Sequence, residues 1–173
     1  MNNKVSFYLN QKLVEAGESE TIWDVAKRED IDVPHLCHSD KIGYKADGNC
    51  RACVVEVKGE KSLVASCIRK PTHGIKVFTN NEKVKKSQNL VLELLLTDQP
   101  NSNASRSKNN HFWKTLNKRN IKISRFSQKK VSSIPKIDNS HPAMTVDLNA
   151  CIQCGLCIRA CRDIQVNDVL GMS

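Results

Sequence analysis

All eight cysteines of this 173-residue chain fall into two groups of four. The first group is Cys37, Cys50, Cys53 and Cys67, spaced C-x12-C-x2-C-x13-C. Four thiolates are the usual ligand set of a [2Fe–2S] cluster, and the plant-type arrangement has three clustered cysteines and a distant fourth. Here the first gap is longer than in the plant type, but the order is kept. The loop holds Gly43, Gly48 and Asn49, so its backbone can curl around a small inorganic core and offer N–H groups to it. Small Ala52 lies between Cys50 and Cys53, where bulk would crowd a cluster. Val54-Val55-Glu56-Val57 follows as a strand-like run, which predicts that the loop rests on a sheet edge. Structural zinc, which also takes four thiolates, is the alternative; its common signature is two C-x2-C pairs, and this stretch has one. A disulfide framework is disfavoured because the sequence opens with no secretory signal pattern.

The second group is Cys151, Cys154, Cys157 and Cys161, spaced C-x2-C-x2-C-x3-C, which is the bacterial ferredoxin run for a [4Fe–4S] cluster. Gly155 permits the tight turn that would aim Cys154 and Cys157 at one cube. In such runs the fourth cysteine serves the other cluster of a two-cluster module. Arg162 stands where a Pro usually follows. No second run precedes Ser173, so Cys151, Cys154 and Cys157 are expected to lack a fourth thiolate. Cys161 is expected one helical turn beyond Cys157 on the same face. Zinc held by all four is the alternative.

At these residues a resemblance is visible. Val33-Pro34-His35-Leu36-Cys37-His38, then Gly48-Asn49-Cys50-Arg51-Ala52-Cys53-Val54-Val55-Glu56-Val57, then Ala65-Ser66-Cys67, resembles the N-terminal ferredoxin domain of the large iron–sulfur subunit of respiratory NADH dehydrogenase. The catalytic subunit of NAD-dependent formate dehydrogenase carries the same domain. The tail from Asp147 through Val169 looks closer to formate dehydrogenase. The resemblance implies a histidine and three cysteines for a further [4Fe–4S] cluster after the first domain. Here Gln99 stands in place of that histidine and Asn103 in place of its first cysteine, and no cysteine occurs between Cys67 and Cys151. That middle cluster is expected to be absent.

The elements that must position these cysteines follow from pattern. Residues 4–9 and 12–16 predict a hairpin turned by Asn10-Gln11. Ser19 or Thr21 can cap a helix reaching about residue 29, with Ile22, Trp23, Val25 and Ala26 as its apolar face. Residues 53–57, 62–67 and 75–79 predict three more strands. The fold class is therefore α+β: a β-grasp [2Fe–2S] ferredoxin domain over 3–80, a helical connector within 81–140, and a partial bacterial-type [4Fe–4S] ferredoxin motif over 141–173. In the connector, residues 82–97 predict a helix with Val84, Leu90, Val91, Leu94 and Leu95 as its stripe. Residues 98–140, rich in Asn, Ser and Lys, are expected to be poorly ordered.

Composition bounds the function. Hydrophobic residues make up 39 % and aromatics 5 %, a modest core to which inorganic clusters would add folding free energy. The net charge of +9 is uneven: residues 83–137 hold 13 Lys/Arg against two acids. That segment lacks a nucleic-acid-binding motif, so a solvated linker or a face for an acidic protein is the better reading. The most apolar run, Leu90 to Leu96, is interrupted by Glu93 and is too short to insert directly into a membrane. Reduced cysteines without a leader suggest the cytoplasm.

The reading is an electron-transfer module of a formate dehydrogenase-like or NADH dehydrogenase-like oxidoreductase. No catalytic residues, nucleotide loop or molybdenum site is visible, and the chain is expected to be an N-terminal fragment. Its expected partners are the other subunits or domains of a dehydrogenase complex and a redox partner protein. The alternatives are a non-enzymatic truncated remnant, a stand-alone protein binding only the [2Fe–2S] cluster, and a basic iron–sulfur sensor.

Overall fold

A computed structural model describes residues 4–100, 110–127 and 137–171. The chain divides into two compact units. One comprises residues up to Gln88 together with those from Gly155 onward, and the other spans Asn89–Cys154.

The first unit is built on a five-stranded mixed sheet. Strands β1 (Val5–Leu9) and β2 (Lys12–Ala16) form the expected hairpin. Both turn residues are left-handed, Asn10 at φ 48° and Gln11 at φ 74°, as a twist-matched two-residue hairpin requires. The usual glycine is dispensable because the Asn10 amide is anchored. It donates to Thr79 Oγ1 at 2.7 Å and accepts from Thr79 N at 2.9 Å. Helix α1 (Ile22–Arg28) starts at Thr21, not Ser19. Thr21 and Asp24 form a reciprocal capping box there, which satisfies two donors of the first turn. Strands β3 (Val54–Val57), β4 (Val64–Ala65) and β5 (Lys76–Phe78) complete the sheet in the order β2-β1-β5-β3-β4. β5 runs parallel to β1 and antiparallel to β3. The expected strand over 62–67 contracts to two residues, because the chain turns at Ala65 to carry Cys67 away from the sheet.

Alternation along the strands buries Phe7, Leu9, Val14, Ala16, Val55, Val57 and Val77 on one face, against Ile22, Trp23, Val25 and Ala26 of α1. Each large apolar side chain buried in this way contributes about 1.5–3 kcal/mol. This is a mixed α+β ferredoxin-like domain.

Helix α2 (Glu82–Thr97) follows, its first turn capped by Asn81 Oδ1, which accepts from Val84 N at 2.9 Å. The buried stripe runs Val84, Gln88, Leu92 and Leu96, and Leu94 is half exposed, contrary to the stripe predicted from apolarity. Gln88 takes a core position because its amide donates to the Val54 carbonyl at 2.9 Å. That bond clips the helix to the strand that follows Cys53. From Gly155, helix α4 (Leu156–Arg159) widens into a π turn over Ala160–Ile164.

In the second unit, residues 110–127 are ordered, which corrects the expectation of disorder there. Helix α3 (His111–Lys118) is capped by Asn110, whose Oδ1 accepts from Trp113 N at 2.9 Å. It buries Phe112, Trp113 and Leu116, and that apolar cluster is enough to fix a short helix in a polar sequence. Glu93, buried, takes two bonds from the Arg125 guanidinium, at 2.6 Å and 3.0 Å. Strands β6 (Ile137–His141) and β7 (Met144–Asp147) form a hairpin before the second motif. The other parts of the segment expected to be disordered, 101–109 with Asn103 and 128–136, lie outside the described residues. No helix among the described residues is long and apolar enough to cross a membrane.

Candidate metal centre

Three segments deliver the first four cysteines. Cys37 follows α1 by way of an extended stretch whose path is set by Trp23: its indole N–H donates to the Val33 carbonyl at 3.2 Å. The Trp23 ring packs edge-on against His35 and His38, with centroids 4.6 Å and 4.4 Å away. Cys50 and Cys53 close the loop that enters β3. Arg51 between them is left-handed at φ 57°, and Gly48 before them at φ 64°. A side chain at Gly48 would press within 2.9 Å of Ile68. Cys67 leaves β4 on a clamped turn. Ser66 N–H and Ser66 Oγ both donate to the Cys53 carbonyl, at 3.2 Å and 2.7 Å. The first N–H groups of α1 bind this same turn, Trp23 N on the Ser66 carbonyl and Ile22 N on that of Arg69.

The four thiols come together. Cys37, Cys53 and Cys67 are buried and Cys50 is half-buried. Cys37 is driven far below the ordinary thiol range, chiefly because the Cys50 thiol donates to it, and after it the Cys67 thiol. Cys50 is correspondingly pushed up by its bond to Cys37 and by burial. Cys53 is lowered to about 7, chiefly by the Cys67 thiol. Cys67 is pushed up by Cys37 first and Cys53 next. The four sulfurs are thus neighbours whose ionisations are tied to one another, Cys37 being the most readily ionised. Backbone N–H groups support them: Cys50 N toward the Cys37 sulfur, Ala52 N toward that of Cys50, and Cys67 N toward that of Cys53. Among the described residues no three His, Cys, Asp or Glu side chains converge to hold a single metal ion. The four sulfurs instead form one run of neighbours, and four cysteine thiolates are the ligand set of a two-iron core.

The second motif is divided between the two units. Cys151 and Cys154 end one and Cys157 and Cys161 belong to the other. Cys151, after a 3-10 turn over Leu148–Ala150, is exposed, and its sulfur accepts from Gln153 N at 3.4 Å. Cys154 is half-buried and Cys157 is exposed. Cys161 differs from all three: it is buried in the π turn, and its sulfur accepts from Val169 N at 3.4 Å. Gln99 is buried, and its amide donates to the Cys151 carbonyl at 3.4 Å.

Sequence reasoning missed Arg159. It is 4 % exposed and reaches the Lys45 and Cys37 carbonyls and the Asp47 carboxylate. Its partners lie more than a hundred residues away in the chain. Only its place inside a cysteine run marks it in sequence.

Residues 2–82 match the 2Fe-2S iron-sulfur cluster binding domain family. The chain is 34 % identical, over 94 % of its length, to NADP-reducing hydrogenase subunit HndD of Solidesulfovibrio fructosivorans, and covers 28 % of that protein. It is 28 % identical, over 92 % of its length, to the formate dehydrogenase-like YrhE of Bacillus subtilis, and covers 16 % of it. It is also 28 % identical, over 91 % of its length, to an NADH-quinone oxidoreductase subunit of Rickettsia felis, and covers 23 % of it. Among solved structures it is similar to a chain of an NAD+-reducing [NiFe]-hydrogenase in the H2-reduced state. The TM-score is 0.85 and the identity 26 %, covering 98 % of this chain and 70 % of that one. Residues 2–82 therefore match a 2Fe-2S iron-sulfur cluster binding domain, and the chain as a whole is similar to parts of a hydrogenase subunit, a formate dehydrogenase-like protein and an NADH-quinone oxidoreductase subunit, spanning less than a third of the length of each.

Proposed function

We propose that Cys37, Cys50, Cys53 and Cys67 hold one [2Fe–2S] cluster, and that the chain uses it to pass single electrons within a larger dehydrogenase or hydrogenase assembly. The observation that carries this is the convergence of four largely buried thiols in one run, Cys50 beside Cys37, Cys37 beside Cys67 and Cys67 beside Cys53, with backbone N–H groups aimed at the sulfurs. Cluster binding takes all four cysteines as thiolates, so it releases whatever protons the thiols hold. The cluster supplies a one-electron carrier. The chain's own N–H groups set how readily it is reduced, through hydrogen bonds to sulfur and exclusion of water, while the Ser66 O–H holds the Cys53 carbonyl and so the turn that carries Cys67.

Cys151, Cys154 and Cys157 are proposed to serve a [4Fe–4S] cluster, with buried Cys161 outside that ligand set. Functionally the chain then reads as a [2Fe–2S] domain over 3–80, a connector over 81–140 and a second cluster-bearing segment over 141–173, working in the cytoplasm beside partner subunits and a redox partner protein. No catalytic residue is assigned. Anaerobic reconstitution with iron and sulfide tests the primary claim: a Cys154→Ser chain should retain two irons and two acid-labile sulfides. Stoichiometric zinc without sulfide would refute it.

A further inference from the structure

The segment from Cys37 to Cys50 is irregular. Within 38–49 the described backbone–backbone bonds reduce to Tyr44 N–H on the Lys41 carbonyl, 3.3 Å. Buried backbone carbonyls need partners; that of buried Cys37 and that of Lys45 are both met by one side chain from the distant end of the same compact unit. Arg159 Nη1 donates to the Lys45 carbonyl at 2.7 Å, and Nη2 donates to the carbonyl of Cys37 itself. Its Nε lies 3.3 Å from Asp47 Oδ2, and the guanidinium sits 5.9 Å from the Tyr44 ring centroid. Arg159 is placed by helix α4, which springs from left-handed Gly155 at φ +69°; Arg159 N closes the first turn on the Gly155 carbonyl at 3.0 Å. A buried guanidinium is costly unless its fork is paired. Here the fork spans both ends of the cluster loop.

We propose that Arg159, although carried by the second cysteine motif, is a positioning residue for the first cluster: it pins the Cys37 end of the loop to the Tyr44–Asp47 end and sets the cluster's potential with a buried positive charge. This rests on the assignment of Cys37, Cys50, Cys53 and Cys67 as the [2Fe–2S] ligands. Reduction adds one negative charge to the cluster, and a fixed cation bonded to a ligand's own carbonyl favours that state. For a separation taken as roughly 8 Å, a unit charge acting through an effective dielectric between about 20 and 80 changes the reduced-to-oxidised ratio about 2-fold to 30-fold. The arginine is the better choice over lysine because the two nitrogens of its planar fork meet two carbonyls at once, while its charge lies beside the Asp47 carboxylate.

The test uses the full chain in a Cys154→Ser background, so that only the first cluster is titrated. Wild-type Arg159, Arg159→Gln and Arg159→Lys are compared by iron and sulfide content, mediator-dye redox titration and electron paramagnetic resonance of the reduced form. Arg159→Gln should lower the reduced-to-oxidised ratio at fixed potential about tenfold, equivalent to about 59 mV for one electron, and shift the resonance. Arg159→Lys should restore most of the ratio but not the line shape. If the Arg159 chain fails to bind two irons and two sulfides, the ligand assignment falls. If all three bind them and the Gln variant stays within twofold of Arg159, the assignment stands and the proposal is overturned. If Arg159→Gln loses the cluster, Arg159→Lys decides: a retained cluster with a restored ratio supports the proposal, and loss in both overturns it, since Arg159 would then serve only the fold.

Discussion

Trp23 joins the core of the first unit to the approach to Cys37, and replacing it separates the two jobs. The ring is 4 % exposed, packs on His35 and His38, and bonds the Val33 carbonyl. Trp23→Ala removes the largest side chain of α1 from the sheet interface and leaves a cavity, at a cost of about 3–5 kcal/mol. Trp23→Phe keeps most of the packing and loses one hydrogen bond, about 1 kcal/mol. Against a total stability of about 5–15 kcal/mol these are large and small fractions respectively. With a urea slope of about 2 kcal/mol/M, the Ala variant should unfold near 2 M lower and the Phe variant near 0.5 M lower. Far-UV circular dichroism is the appropriate signal, because Trp113 in the other unit would dominate residual fluorescence. Cluster loss, followed by visible absorbance in air, should be fastest in Ala and intermediate in Phe. An Ala variant less than about 0.5 M destabilised would refute the packing argument. One that is destabilised yet loses its cluster at the wild-type rate would refute the link from Trp23 to Cys37.

Two further outcomes are expected. At the second motif, Cys154→Ser should abolish the additional iron, whereas Cys161→Ser should leave it nearly unchanged, because Cys161 is already buried and accepts from Val169 N; equal loss of iron in both would place Cys161 in the ligand set. In the second unit, Arg125 holds the Glu93 carboxyl below the usual range, chiefly by its side-chain hydrogen bonds. A depressed carboxyl contributes stability that is present above its unfolded value, about 4.3, and is lost as pH falls through the folded one. Thermal melts between about pH 6 and pH 3 should show this acid-side loss, and Glu93→Gln should flatten it; an unchanged profile in that variant would exclude the pair as its source.

Much of this was legible in sequence where a physical demand restricts residue type. Iron demands thiolates at set spacings, so both cysteine motifs were visible without coordinates. The helix start, narrowed to Ser19 or Thr21, the β1–β2 hairpin and the core place of Trp23 follow from short-range patterns, and the Thr21–Asp24 box decides between the two caps. What escaped was set by partners distant in sequence. Gln88 reads as a polar gap in an apolar stripe until the Val54 carbonyl is seen beside it. Leu94 reads as part of that stripe, yet it faces outward. The β6–β7 hairpin is mostly exposed, so no inward alternation announces it. Helix α3 carried a signal that composition concealed: Asn110 as a cap, then Phe112, Trp113 and Leu116 on one face.

The first centre is built unequally, and the inequality bears on its function. Cys53 and Cys67 are held by regular structure: β3 on one side, and on the other a turn bonded at once to the Cys53 carbonyl and the first N–H groups of α1. Cys37 and Cys50 bracket an irregular loop that owes little to its own backbone. Its order is imported, from Trp23 through Val33 at the entry and from Arg159 at the Cys37 carbonyl. Both imported supports lie at the Cys37 end, one on the Val33 carbonyl that precedes it and one on the Cys37 carbonyl itself. Support of the loop therefore concentrates there. One of its two supports comes from the hydrophobic core and the other, Arg159, is carried between Cys157 and Cys161, so on the proposal above a residue of the second cysteine run acts on the first centre.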